Sequence, residues 1–123
     1  ILGYPVIATV GEHAHRGSRR NLLGPDATDE QVAELNNHEH VDVDTPPTFL
    51  FHAKDDGAVV LANSEMFLAA LEAAGVDGQL VVLETGGHGF GLRGLGDPDG
   101  WPAQCMGWLG GEGFLDAAPT DVP

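Results

Sequence analysis

The chain has 123 residues, 42% of them hydrophobic, which is typical of a single globular domain. Nineteen acidic residues against five Lys and Arg give a formal charge of −14, so we expect neither nucleic acid nor membrane surfaces as partners. No apolar run reaches the ~20 residues that span a bilayer, and the single Cys105 excludes an internal disulfide.

The chain opens on apolar residues, without a basic segment or an initiator Met. This start predicts a strand rather than a signal peptide, and a chain that opens on a buried type of strand is expected to be a piece of a longer protein. Any targeting segment is then expected before Ile1. The acidity is compatible with a secreted or periplasmic parent protein, and the compartment stays open.

Three short apolar runs are predicted as strands, at residues 4–10, 48–53 and 79–84. They are almost continuously apolar, as expected of parallel strands covered on both faces. Helical patterns alternate with them, at residues 28–35, 63–75 and 101–111. The alternation predicts an α/β fold, with a parallel sheet, flanking helices and right-handed crossovers.

The ends of the helices have recognisable signals. Thr28 and Gln31 have the spacing of a capping box. Asn63 or Ser64 is predicted to cap the second helix, and Gly75 to end it; Pro102 suits the first turn of the third.

Two further segments complete the organisation of the chain. Residues 11–27 are too long for a simple connection and are predicted to form a functional loop. Residues 1–115 are assigned to one partial domain, and residues 116–123 to a tail with little to pack.

Two loops carry the candidate chemistry. Asp55 and Asp56 follow the second strand, and His88 follows the third within a run of glycines. The carboxyl ends of parallel strands meet at one edge of a sheet, so the loops are expected to lie side by side. An Asp that faces a His orients the imidazole and stabilises the imidazolium. A surface turn would explain His88 alone, but the matching Asp loop favours a catalytic pair.

A nucleophile for this pair is missing. The chain has only two serines, Ser18 and Ser64, and neither lies in a Gly-x-Ser-x-Gly segment. Ser64 is predicted to be a helix cap and Ser18 a loop residue. Cys105 lies on a helix face with Trp101 and Trp108 that is predicted to pack in the core, so it is a poor candidate.

The other histidines suggest a metal site less strongly. The pairs His13–His15 and His38–His40 could ligate zinc, but no spaced signature such as His-Glu-x-x-His accompanies them. Loop histidines are the favoured interpretation. His52 lies within an apolar run and is predicted to be a hydrogen-bonded core histidine.

The chain resembles the carboxyl-terminal half of α/β-hydrolase enzymes, and more narrowly the acetylxylan esterase-like enzymes grouped with dienelactone hydrolases and prolyl-oligopeptidase-type catalytic domains. The matching segments are "YPVIATVGEHAHRGSRRNLLG", "TPPTFLFHAKDDGAVVLANS" and "GGHGFGL". The resemblance extends from residue 1 to about residue 115, and it rests chiefly on the order and spacing of the second and third segments.

Carried over by position, the resemblance makes Asp56 the triad acid, with Asp55 as the alternative, and His88 the triad base. The family order is Ser, then Asp, then His, so the nucleophile and the oxyanion donors would precede Ile1. The resemblance implies cleavage of carboxylic esters in small molecules or carbohydrates, for example acetyl esters, without a cofactor.

Three interpretations remain open. In the first, the chain is an inactive part of a serine esterase. In the second, it is a complete, non-catalytic binding or subunit module of the same fold. The exposed edge of the first strand would invite pairing with a missing amino-terminal half or self-association, which favours the first. A His-rich metal-binding domain is the third.

Overall fold

Three parallel strands form the sheet within residues 1–115, the part of the chain that this computed structural model describes. Their spatial order is β1-β2-β3, with bounds Leu2–Gly3 (β1), Thr48–Ala53 (β2) and Gly78–Leu83 (β3). The helices are Arg16–Leu23 (α1), Asp29–Ala33 (α2), Ala62–Ala74 (α3) and Trp101–Gly111 (α4), with a short 3-10 helix at Asn37–His40. The predicted α/β fold with a parallel sheet is confirmed.

The chain divides into two compact units. The first ends at Phe90 and contains the sheet and α1 to α3, and the second begins at Gly91 and contains α4. Pro102 lies in the first turn of α4, as predicted, and Trp101 and Cys105 are buried. The predicted tail, residues 116–123, lies outside the described residues. The domain boundary at residue 115 stays a prediction.

Strand β2 lies at the centre of the sheet, and all six of its residues are buried. Strand β3 begins one residue earlier than predicted. Helix α3 approaches the start of β3 so closely that a Cβ on Gly78 would lie 2.9 Å from side-chain carbons of Leu68 and Leu71. At the other end Ala53 pairs with Leu83. The loops that follow β2 and β3 therefore begin at the same edge.

Helix α3 begins before the residues predicted to cap it. Its first residue is Ala62, and Leu61 stands at the cap position without a side-chain hydrogen bond. Asn63 and Ser64 lie inside the helix and are fully buried. Their burial is tolerated because their polar groups form hydrogen bonds with Ile7 and His52 in other segments of the core. Gly75 ends the helix in the left-handed conformation at φ 73°, as predicted.

The predicted strand at residues 4–10 is wrong. Strand β1 stops at Gly3, and Tyr4 then takes a φ of +38° that turns the backbone off the sheet. Pro5 has no N–H to donate to a neighbouring strand. The apolar run that follows is an irregular segment.

The amide of Asn63 holds this irregular segment. Its Oδ1 accepts hydrogen bonds from the backbone N–H groups of Ile7 and Ala8, both at 2.9 Å. Its Nδ2 donates to the carbonyl oxygen of His13 at 3.0 Å. One buried side chain thus satisfies backbone groups that a strand would have paired in a ladder.

Replacing Asn63 by alanine is expected to lower the free energy of unfolding by about 2–4 kcal/mol, because buried backbone groups lose their partners. Urea denaturation followed by circular dichroism measures the change. The matched control is Asn21→Ala on the exposed surface of α1. Equal stabilities of the two variants would contradict the role given to the Asn63 amide.

Residues 11–27 contain a helix, α1, that the sequence did not predict. Its N-cap is His15, whose Nδ1 accepts from the backbone N–H of Ser18 at 3.2 Å. None of its residues is buried, and its only apolar side chains, Leu22 and Leu23, are adjacent at its end, so no series of core positions marks it as a helix. The capping box of α2 is confirmed, with reciprocal hydrogen bonds between Thr28 and Gln31.

Candidate active site

The loops after β2 and β3 are fastened to each other at the carboxyl edge of the sheet. The backbone N–H of Lys54 donates to the carbonyl oxygen of Leu83 at 2.8 Å and extends the pairing by one residue. Oδ1 of Asp55 then accepts from the backbone N–H groups of Gly86 and Gly87, both at 2.8 Å. Asp55, the alternative triad acid, thus binds the backbone of the histidine loop.

His88 projects from a turn between two glycines in the left-handed region. Gly87 has φ +63° and Gly89 has φ +77°, conformations that cost an L-residue with a Cβ free energy. The turn leaves 40% of the His88 side chain exposed. The glycines therefore present the imidazole at the surface of the sheet edge.

Asp56 is the carboxylate that meets this imidazole. Its Oδ2 lies 2.8 Å from Nδ1 of His88, and since an ionised carboxylate only accepts, Nδ1 is the donor. The other ring nitrogen, Nε2, is then unprotonated in the neutral ring and can take a proton. The expected contact is present; the catalytic role of the two residues stays a prediction.

The Asp56 carboxylate is buried, with only 5% of the residue exposed. Burial alone would raise its pKa. The backbone N–H groups of Val59 and Ala58, each 2.9 Å from Oδ1, and the hydrogen bond and charge of His88 outweigh burial and lower the pKa of Asp56 below its ordinary value. The site thus favours the ionised carboxylate that an imidazolium needs as its partner.

This lowered pKa predicts how stability depends on pH. Because the pKa is lower in the folded state, the contribution of Asp56 is fully present above its ordinary value of 3.8 and is lost as the pH falls through the lowered pKa. We expect the free energy of unfolding to fall more steeply below that pH in the wild type than in Asp56→Asn. Urea titrations at several pH values measure it, with exposed Asp26→Asn as control; a slope unchanged in Asp56→Asn would contradict the assignment.

His52 and Ser64 extend the pair into the core, and both are completely buried. Nε2 of His52 lies 3.2 Å from Oδ2 of Asp56 and 2.8 Å from the carbonyl oxygen of Val59, while its Nδ1 lies 2.8 Å from Oγ of Ser64. The predicted hydrogen-bonded core histidine is confirmed. The predicted helix cap, Ser64, is wrong, because its hydroxyl binds the histidine instead.

The composition of this buried set, Ser64, His52 and Asp56, is that of a catalytic triad. Its geometry is not, because neither Ser64 nor His52 has exposed surface through which a substrate carbonyl could reach the hydroxyl. Ser64 is therefore excluded as the nucleophile by burial. No signal in the sequence distinguished a buried serine of this kind from a helix cap.

Aromatic rings surround the base, and the sequence did not predict this. The ring of Tyr4 lies edge-on to His88, with centroids 4.8 Å apart, and 5.2 Å from the ring of Phe90. Phe51 closes the cluster at 5.7 Å from Tyr4 and 5.6 Å from Phe90. The positive φ of Tyr4 turns the chain so that its ring lies beside His88. The strand predicted at residues 4–10 contains no such turn, so it could not predict this contact.

The remaining candidate nucleophiles are engaged elsewhere. Oγ of Ser18 lies 2.8 Å from Nδ1 of His15, at the start of α1. Burial raises the pKa of the Cys105 thiol and so disfavours the reactive thiolate. Within residues 1–115, neither serine forms a hydrogen bond with His88.

Three of the four histidines in the two pairs have other partners. His13 faces Glu12 at 3.5 Å, His15 caps α1, and Nε2 of His40 lies 3.2 Å from the carbonyl oxygen of Ala33. Across the described part of the chain, no three His, Cys, Asp or Glu side chains are grouped to hold a metal ion. The structure thus adds no support to the zinc interpretation. In the same part, no helix is long and apolar enough to cross a membrane.

The chain is similar to several known proteins. An endo-1,4-β-xylanase B from Butyrivibrio fibrisolvens is 34% identical over 112 residues, 91% of this chain and 16% of that protein. An acetylxylan esterase from Xylanibacter ruminicola is 32% identical over 99 residues, 75% of this chain and 20% of that protein. The crystal structure of an acetyl ester-xyloside bifunctional hydrolase from Caldicellulosiruptor lactoaceticus has a TM-score of 0.86 and 38% identity, over 94% of this chain and 43% of that one.

The chain therefore spans a minor part of each of these relatives. The predicted resemblance to α/β-hydrolase esterases is confirmed by these similarities. The model of the prolyl oligopeptidase family matches residues 5–109, a range that includes both the Asp56 loop and the His88 loop. The chain belongs to the prolyl oligopeptidase family.

Proposed function

We propose that this chain supplies the acid and the base of a Ser-Asp-His triad that cleaves carboxylic esters. The observation that carries the proposal is the 2.8 Å contact between Oδ2 of Asp56 and Nδ1 of His88. The contact joins a buried, ionised carboxylate to an exposed imidazole at the carboxyl edge of a parallel sheet, where active sites of such folds lie.

The arrangement suits proton transfer by His88. With Nδ1–H held by Asp56, Nε2 takes the proton of a serine hydroxyl as the serine oxygen attacks the ester carbonyl. The imidazolium then gives that proton to the departing alcohol, leaving an acyl-serine. Water attacks the acyl group, its proton passes through Nε2 back to the serine oxygen, and the carboxylic acid is released. No step requires a cofactor.

The serine is proposed to lie outside these 123 residues. Ser64 is fully buried against His52, and Ser18 is bonded to His15. The order Ser, then Asp, then His in α/β-hydrolases suggests a Gly-x-Ser-x-Gly segment before Ile1. The complete enzyme, meaning this chain together with that segment, would then hold all three groups.

Acetyl esters of carbohydrate are the proposed substrates. Support comes from the relatives, one of which is an acetylxylan esterase and another an acetyl ester-xyloside hydrolase. The exposed imidazole and the half-buried ring of Tyr4 beside it offer polar and apolar contacts to a sugar ester. A small-molecule or carbohydrate ester is therefore the expected partner of the site.

The test begins with the coding DNA before Ile1, which is expected to encode Gly-x-Ser-x-Gly in frame. The complete enzyme should release acetate from acetylated xylan and cleave p-nitrophenyl acetate, and the 123-residue chain should remain at background. Activity of the chain alone that is lost in Ser18→Ala would overturn the placement of the nucleophile. A start codon immediately before Ile1 would overturn the proposal that the chain is part of the enzyme.

A further inference from the structure

The hydrogen-bond donors and acceptors around His52 determine where its hydrogen lies. The carbonyl oxygen of Val59, 2.8 Å from Nε2, can only accept, so Nε2 carries the hydrogen. In the neutral ring Nδ1 is then unprotonated, and it accepts from the hydroxyl of Ser64 at 2.8 Å. The Val59 carbonyl and the Ser64 hydroxyl therefore together stabilise the tautomer of His52 in which Nε2, the ring nitrogen nearest Asp56, carries N–H rather than a lone pair.

The tautomer of His52 matters to the Asp56 carboxylate because one carboxylate oxygen, Oδ2, faces both His52 and His88. Oδ2 lies 3.2 Å from Nε2 of His52 and 2.8 Å from Nδ1 of His88, while Oδ1 accepts two backbone N–H groups. The opposite tautomer of His52 would place a lone pair against Oδ2 and against the carbonyl oxygen of Val59. Repulsion in this buried site would be strong, because the effective dielectric constant is low.

We propose that His52 and Ser64 are positioning residues for the ester-cleaving reaction. This inference rests on the proposed function of Asp56 and His88. The Nε2–H of His52 donates to the carbonyl oxygen of Val59, and the positive end of this N–H dipole, 3.2 Å from Oδ2, holds the Asp56 carboxylate electrostatically from the side of the core. The carboxylate in turn keeps the hydrogen of His88 on Nδ1, so that Nε2 stays free to accept a proton. Ser64 acts two residues away from the base, through its hydrogen bond to His52, the 3.2 Å contact between His52 and Asp56, and the hydrogen bond between His88 and Asp56.

The first test is direct observation of the tautomers in the 123-residue chain. Long-range ¹H–¹⁵N correlation spectra of ¹⁵N-histidine-labelled protein should show hydrogen on Nε2 of His52 and on Nδ1 of His88. In Ser64→Ala, His52 should become a mixture of tautomers. The Nδ1 proton of His88 should exchange with water about tenfold faster, since the loss of a hydrogen bond in a charged network is of that size.

Ser18→Ala is the matched control, because Ser18 also lies 2.8 Å from Nδ1 of a histidine, His15, at a separate place in the fold. It should change the spectrum of His15 alone. Hydrogen on Nδ1 of His52 in the wild type would overturn the inference. So would a Ser64→Ala protein in which His52 changes and His88 does not. If Ser64→Ala does not fold, the wild-type spectrum still tests the inference, because it shows which nitrogen of His52 carries the hydrogen.

The second test uses the complete enzyme. Ser64→Ala should lower kcat about tenfold with KM unchanged, and Ser18→Ala should leave both unchanged. His52→Gln, whose amide N–H can occupy the place of Nε2–H, should retain more activity than the shorter His52→Asn. Equal activities of these two variants, or a change in KM alone, would overturn the positioning role.

The two proposals fail in different ways. If the wild-type complete enzyme cleaves esters and Ser64→Ala does so equally well, the positioning role fails and the proposed function stands. If the wild type cleaves no ester while Ser64→Ala alters the tautomer of His88, the proposed function fails and the coupling through His52 stands.

Discussion

Asp56→Asn is expected to lower kcat of the complete enzyme by about 10⁴-fold with little change in KM. The backbone N–H groups of Ala58 and Val59 both donate to Oδ1, so they require an acceptor there. The asparagine must therefore direct its NH₂ group toward His88. A donor that faces Nδ1 forces the hydrogen of His88 onto Nε2, where the base needs a lone pair.

The neighbouring aspartate provides the control for this substitution. Asp55→Asn removes the same charge one residue away but keeps an oxygen for the N–H groups of Gly86 and Gly87. We expect it to lower kcat less than about tenfold. Measurement of kcat and KM on p-nitrophenyl acetate compares the two variants. Equal losses would show that charge at this loop matters, rather than the contact between Asp56 and His88.

Where burial follows the apolar pattern, the sequence predicts this fold well. Strand β2 is apolar and wholly buried and is found at its predicted bounds, and α4 is found where its pattern indicates. Helix α1 is missed because its apolar side chains are confined to Leu22 and Leu23 at its end, so the sequence shows no face for the core, and none of its residues is buried. The strand predicted at residues 4–10 is wrong for a different reason. An apolar run indicates that residues are buried, but it does not specify their backbone conformation. Here that conformation depends on the positive φ of Tyr4 and on hydrogen bonds to the distant amide of Asn63.

In the candidate site, too, the sequence predicts some features, while others depend on contacts between distant residues. The pairing of Asp56 with His88 follows from strand order, because loops after adjacent parallel strands must meet. The parts missed are side chains whose partners lie far along the chain. Ser64 fits a helix cap in sequence, and only the approach of α3 to β2 brings its hydroxyl to His52. Tyr4 reaches His88 across 84 positions of sequence, which no local pattern can indicate.

His88→Gln is expected to lower kcat of the complete enzyme by about 10⁵- to 10⁶-fold, the largest effect of any substitution in this chain. Glutamine can keep a hydrogen bond to Asp56, but an amide does not accept a proton near neutral pH, so the serine hydroxyl loses its base. The turn should survive, because Gly87 and Gly89 supply its backbone conformation and His88 is substantially exposed.

The double variant Asp56→Asn with His88→Gln gives the sharper measurement. If Asp56 acts only by orienting and stabilising His88, its substitution should cost almost nothing once His88 is gone, so the double variant should match His88→Gln alone. His13→Gln, a partly exposed histidine beside Glu12, is the control and should keep wild-type kcat. Additive losses, with the double variant about 10⁴-fold below His88→Gln, would contradict the triad, because they would mean that the carboxylate and the imidazole act in separate steps.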